Sequence, residues 1–162
     1  MIQTDLRQLT AYRMHVPRWA GSPLSGEGAA IHGGRANRPG ISALYLSLEL
    51  ETAVKEYQQL SPLLPPGTLV AYEVTVAPIV DFRGGYAAQS WSPLWELFLG
   101  DWRAQWFDQR IEPPSWVLGD EAIEQGAKGI LFESSVVPGG HNLVLYTAEL
   151  GEDDSINPYD PS

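Results

Sequence analysis

Residue types that suit chemistry on a phosphate-bearing ligand follow one another early in the chain. Arg35 stands in the glycine-rich run GGRANRPG (33–40), Tyr45 in the short apolar run ALYLS (43–47), and Glu56 on the amphipathic stretch that follows. A guanidinium meets a phosphate in a two-pronged contact. Glycine lets a backbone approach a ligand closely. A carboxylate stabilises positive charge that develops in a reaction, and an aromatic face can stack on a ring. Each residue also has an ordinary reading. Arg35, like its neighbour Arg38, can be a solvated loop arginine. Glu56 lies about 110° from the centre of the apolar stripe of its helix at 100° per residue, where most glutamates are solvated. Tyr45 points away from Leu44 and Leu46, either into a second packed face or into a cavity. The glycine run is not a P-loop, because no Gly-Lys-Ser/Thr follows it.

Other candidates are weaker. Ser134 and Ser135 end the apolar run GILF, a place where small hydroxyls often only turn the chain. His15, His32 and His141 have no metal-ligand spacing, and no G-x-S-x-G elbow accompanies them, so neither a metal centre nor a serine hydrolase is expected. Trp91, Trp95, Trp102 and Trp106 follow helical spacing and read as core or partner surface.

The elements that must position these residues read as an α+β domain, since strands and helices mix without regular βαβ alternation. Residues 10–20 read as a short strand ending at Pro17, 42–47 as a second strand, and Ser47 as the cap of a helix that buries Leu50, Ala53, Val54 and Tyr57 and stops before Pro62. Residues 68–76 and 79–82 are strand, and 92–107 a helix with Ser92 as cap and Pro93 at its first position. Residues 115–125 form a further helix closed by Gly126, and 129–134 and 142–150 are strands. The acidic tail 151–162 is expected to be mobile unless a partner or second subunit orders it.

Composition narrows the function. The 162 residues fit one domain, 1–150, before the tail, and the net charge of −10 disfavours direct nucleic-acid binding. No apolar run approaches the roughly 20 residues of a membrane span, the N-terminus lacks the apolar core of a signal peptide, and there are no cysteines. A cytoplasmic protein without membrane contact is expected. A few arginines can still make a cationic pocket on an acidic surface.

Taken together, YR at 12–13, GGRANRPG with Arg35, ALYLS with Tyr45, TAVKE with Glu56, and GILFESSVVPGGHNLVLY at 129–146 with Ser134 and Asn142 resemble the RES-domain family, toxins of bacterial toxin–antitoxin pairs. The chain departs from that pattern at Ala36, where the family usually has an aromatic residue, and at Glu133, where it usually has proline. The resemblance implies a fold similar to toxin-type ADP-ribosyltransferases, a split and mostly antiparallel sheet flanked by helices. It implies NAD⁺ as substrate, cleaved between nicotinamide and ribose, with ADP-ribose passing to water, phosphate or a protein. Glu56 would stabilise charge on the ribose, Arg35 clamp the pyrophosphate, Tyr45 face the nicotinamide, and Ser134 position the ribose. Arg13 would add a phosphate contact or a structural ion pair. The resemblance also implies a cognate antitoxin carrying a helix-turn-helix DNA reader, and it admits a host protein as target. The rival reading is a catalytically idle module that binds a phosphorylated ligand or a partner's carboxylates.

Overall fold

Strands that bury both faces need apolar residues at consecutive positions, and the central strands of this chain do so. In β2 (Ala43–Ser47), Leu44 and Leu46 enter a core with Leu131 of β4 (Gly129–Glu133) and Leu143 and Leu145 of β5 (His141–Tyr146). Ala43 and Tyr45 face the other way, toward Ile130, Phe132, Val144 and Tyr146. Tyr45 therefore stands on a second packed face and, as described below, also at a cavity wall. The computed structural model describes residues 1–15, 26–60 and 67–159. The expected ends of the first strand at Pro17 and of the helix before Pro62 lie outside them.

With β1 (Gln3–His15), β3 (Thr68–Phe82) and β6 (Ser155–Pro158), the sheet has the order β1-β2-β5-β4-β3-β6. β1 also pairs with β3, so five strands close into a barrel and β6 lies outside the ring. Among the described residues only the β3–β4 pairing is parallel. The expected α+β class and mostly antiparallel sheet are borne out. The barrel is weakest where β1 meets β2, at the single pair Tyr12↔Ser47. There the sheet is nearly split, and side chains from both strands line a cavity.

Among the described residues, three α-helices lie around the barrel: α1 (Glu27–His32), α2 (Leu50–Leu60) and α3 (Pro114–Glu124), the last followed by Gly126 at φ +87°. The expected long helix over 92–107 is absent. A 3-10 turn (Pro93–Leu97) and a short π turn (Ala104–Asp108) replace it. Gly100 disfavours helix between them, and the Asp101 carboxylate accepts the Ala104 N–H at 3.0 Å to start the second turn. The aromatic side chains dictate this path. Phe82, Trp91, Trp95, Phe98 and Phe132 stack edge-to-face or tilted, with centroids such as Trp95–Phe98 at 5.3 Å and Phe98–Phe132 at 5.4 Å. Each such pair adds about 0.5–1.5 kcal/mol beyond its buried area. Trp91, Trp95 and Trp102 are buried, whereas Trp106 is 40% exposed.

The tail also corrects the expectation. Residues 155–158 pair antiparallel with β3 of the same chain, from Thr75↔Ser155 to Tyr72↔Pro158. Asp154 anchors the approach through an ion pair with Lys128 at 2.6 Å. Residues 155–158 are thus held by a strand of the same chain.

Candidate functional site

Glu56 reaches the centre of the site because the polar side of α2 is itself an interface. Glu49, Thr52 and Glu56 recur at helical spacing, and each meets the β4–β5 connection. Glu49 Oε1 accepts the His141 N–H at 2.9 Å and the Thr52 hydroxyl at 2.7 Å. Thr52 packs so closely on Gly140 that a Cβ there would stand 2.6 Å from its hydroxyl. The helix is thereby rolled away from the expected face: Ala53 and Tyr57 are buried, but Leu50 is 48% exposed. The same roll carries Glu56 inward.

Two side chains then fix the carboxylate. Ser134 Oγ donates to Glu56 Oε1 at 2.7 Å, and Asn142 Nδ2 donates to the same oxygen at 2.8 Å. Ser134 Oγ accepts the N–H groups of Val136 and Val137 at 3.1 and 3.0 Å. Ser47 Oγ donates to Asn142 Oδ1 at 2.8 Å, which turns the amide nitrogen toward Glu56. The β2–β5 register, Ser47↔Asn142, makes that contact possible. Ser47 is thus a strand residue orienting Asn142 and not the helix cap that its position suggested. Among the described residues Glu56 Oε2 receives no hydrogen bond.

The glycine-rich loop is tied down, not free. The Asn37 amide donates to the carbonyls of Ala29, Arg38 and Ile41, Trp116 Nε1 donates to Gly34 O at 2.6 Å, and the Ser115 hydroxyl donates to Arg35 O. Two of its glycines make room for protein groups: a Cβ on Gly34 would meet the Tyr45 hydroxyl at 2.6 Å, and one on Gly33 the Trp116 ring at 2.9 Å. Ala36 is fully buried, its carbonyl accepting from Tyr146. Arg38 is half-exposed but not a lone loop arginine either. Its guanidinium pairs with Glu112 and, at 2.7 Å, with Asp120.

Arg35 differs from Arg38 in its partners. One terminal nitrogen donates to the carbonyls of Phe98 and Gly100, at 3.1 and 2.7 Å, leaving the rest of the fork for another acceptor. Burial lowers its pKa, the more so with Arg103 nearby, although Tyr45, Glu56 and Asp101 oppose the shift; it keeps its charge at neutral pH. Arg13 donates to Tyr45 O at 2.8 Å, and burial lowers its pKa too. Tyr45 donates to Asn37 Oδ1 at 2.6 Å and accepts the Ala36 N–H at 2.9 Å, so its ring is held rigidly, and burial pushes its phenol pKa up.

These residues border one cavity of about 370 Å³, within the range of small-molecule sites. Arg13, Arg35, Tyr45, Glu56, Asn142, Trp102, Arg103 and Ser135 contribute to its wall, and Glu56 is the only carboxylate among the described lining residues. The structure therefore brings together Arg13, Arg35, Tyr45 and Glu56. Ser134 stands behind Glu56, and the serine at the wall is Ser135. A ribose contact by Ser134 would require it to share or release the Glu56 bond. Trp102 and Arg103 were hidden in the sequence by the helical reading of 92–107. Asn142 was legible only in the resemblance.

The RES domain matches residues 10–160. A protein named Toxin Res from Yersinia enterocolitica serotype O:8 / biotype 1B is 29% identical over 135 residues, spanning 83% of this chain and 81% of that one. The crystal structure of the M. tuberculosis MbcT–MbcA toxin–antitoxin complex contains a similar chain, with a TM-score of 0.66 and 20% identity, covering 98% of this chain and 84% of that one. At that identity the likeness is one of fold.

Proposed function

The chain belongs to the RES-domain family, and on that premise we propose that it is the toxin of a toxin–antitoxin pair, with NAD⁺ as the substrate of its cavity and the nicotinamide–ribose bond as the bond it cleaves. The observation that carries the reading is the state of Glu56. Its Oε1 holds two donated hydrogen bonds, while its Oε2 holds none among the described residues, in a cavity that Arg13, Arg35 and Arg103 also line.

The residues present fit such a ligand. Arg13 and Arg35 face the cavity without a carboxylate within ion-pair distance among the described residues, so a diphosphate would meet donors not already committed to charge. Tyr45, immobilised through its hydroxyl, offers a fixed ring face without losing side-chain freedom on binding. The substrate supplies a neutral leaving group and a ribose carbon that grows electron-poor as that group departs, as in glycoside cleavage. Glu56 places negative charge in the cavity and can accept from ribose hydroxyls through Oε2. Ser134 and Asn142 keep it oriented, so that little reorganisation accompanies the reaction.

The ADP-ribosyl group passes to water, phosphate or a side chain of a host protein, giving a glycohydrolase, a phosphorylase or an ADP-ribosyltransferase. A cognate antitoxin, with a helix-turn-helix domain for any DNA contact of the complex, restrains the toxin in the cytoplasm, where both operate. The test is incubation of the purified protein with NAD⁺, alone and with phosphate. Released nicotinamide supports the reading, and the accompanying product names the acceptor. NAD⁺ recovered intact would favour the idle binding module.

A further inference from the structure

Among the described residues, five of the nine lysines and arginines of this acidic chain have a carboxylate partner. Arg7, Arg38, Lys55, Arg83 and Lys128 each stand within ion-pair distance of a carboxylate. Among the described residues Arg13, Arg35, Arg103 and Arg110 do not, and the first three line the same cavity. Glu56 in that cavity and Asp101 in the adjoining pocket are the carboxylates among the described lining residues, and neither stands within ion-pair distance of these arginines. Like charges gathered with so little direct counter-charge cost free energy that an anionic ligand can offset, so this arrangement points to a bound anion.

Arg103 has the clearest unassigned place among them. It borders both the main cavity and an adjoining pocket of about 230 Å³, and so does Arg35. Its guanidinium lies over the Trp102 ring, 4.8 Å from the centroid, which limits the motion of an otherwise exposed side chain. Trp102 itself is buried. The segment carrying both residues is fastened to Arg35, which donates to Phe98 O and Gly100 O. Arg35 and Arg103 are therefore held relative to one another by the backbone between Phe98 and Arg103.

We propose that Arg103 is the second arm of an anion clamp whose first arm is Arg35, and that this clamp selects ligands carrying a diphosphate over nucleosides that lack one. The proposal deepens the NAD⁺ reading and rests on it for the identity of the full ligand, but the clamp is tested with simpler probes. Arg103 acts on binding: it lies on the rim, away from the hydrogen bonds that fix Glu56.

The experiment is equilibrium titration of the full-length protein with ADP, ADP-ribose and adenosine, for wild type, Arg103→Ala and Arg103→Lys, with unfolding curves to confirm that each variant is folded. Loss of one charge-assisted contact should weaken ADP and ADP-ribose by about tenfold in Arg103→Ala. Adenosine should be little affected, and Arg103→Lys should recover part of the loss. In turnover, Arg103→Ala should raise KM for NAD⁺ while kcat is largely kept. Unchanged ADP affinity in Arg103→Ala, equal weakening of adenosine and ADP, or no measurable ADP binding by wild type would each overturn the clamp. Arg103-dependent ADP binding without nicotinamide release would uphold the clamp and overturn the NAD⁺ reading, so the two failures are distinguishable.

Discussion

The Ser134 hydroxyl donates to Oε1 of Glu56 at 2.7 Å, joining the loop after β4 to the helix that carries the carboxylate. Because the same oxygen accepts from Val136 and Val137, Ser134 sets both the loop and Glu56. Ser134→Ala should lower stability by about 1–2 kcal/mol, since two backbone donors lose their acceptor. It should also slow nicotinamide release about tenfold or more through misplacement of the carboxylate. Ser135→Ala, at an exposed wall position, should stay within about 0.5 kcal/mol of wild type. Denaturant unfolding and turnover of the two variants separate the serines. A reversed order would make Ser135 the residue that organises the loop.

Arg35 and Arg38 sit three positions apart in one loop but have different partners. A lysine at 35 could satisfy the Phe98 or Gly100 carbonyl or reach a phosphate, but it lacks the planar fork that does both. Arg35→Lys should weaken NAD⁺ binding by about tenfold. Arg38→Lys keeps charge opposite Glu112 and Asp120 and should cost less than about 1 kcal/mol of stability, with NAD⁺ affinity unchanged. Equal losses of affinity would show that the loop acts only as a patch of charge.

How much of this could be read from the sequence depends on the kind of contact. The period-two pattern of ALYLS placed Leu44 and Leu46 opposite Tyr45, and the structure keeps that division because each side has its own core. Glu56 was legible as a flank residue, but its inward turn was not. That turn depends on Thr52 packing against Gly140 and on Glu49 binding His141, contacts between residues about ninety positions apart. The periodicity of Trp91, Trp95, Trp102 and Trp106 suggested one helix, yet Gly100 and the aromatic cluster broke it into two turns. Arg103 was hidden for the same reason. The acidic residues near the C-terminus suggested a free tail. Asp154 paired with Lys128 and the free edge of β3 gave that segment a place instead.

His15 should make stability depend on pH. It is 3% exposed and hydrogen-bonded to Tyr72, and burial, aided by the charge of Arg13, lowers its pKa from 6.5 to about 4. Between those values the unfolded chain binds a proton that the folded chain refuses. The stabilising contribution is therefore fully present above the unfolded pKa and is lost as pH falls toward the folded one. The loss from this residue should be on the order of 3 kcal/mol. Urea unfolding at neutral pH and near pH 4.5 should show the decline, and His15→Gln should flatten it. An identical decline in the variant would assign the acid sensitivity to other groups.

The antitoxin should compete with NAD⁺. Arg13, Arg35 and Arg103 present positive charge at the cavity, and a carboxylate or chain terminus of a partner laid between Arg35 and Glu56 would occupy the place of the diphosphate. Titration of NAD⁺ at rising antitoxin concentration should show apparent affinity falling in step with occupancy. Unchanged affinity at saturating antitoxin would place inhibition at a distant surface.

On the proposed mechanism the Glu56 carboxylate drives cleavage of the nicotinamide–ribose bond. Glu56→Gln isolates it, because an amide oxygen can still accept from both Ser134 and Asn142 while the charge is lost. The decisive measurement is the rate of nicotinamide release from NAD⁺ by wild type and Glu56→Gln, at equal concentrations of folded protein and with matched melting temperatures. The wild type should release nicotinamide, and the variant should be slower by about 10²-fold or more, the scale of losing one strong electrostatic contact in the transition state. Near-normal release by Glu56→Gln would remove Glu56 from the mechanism and contradict the account.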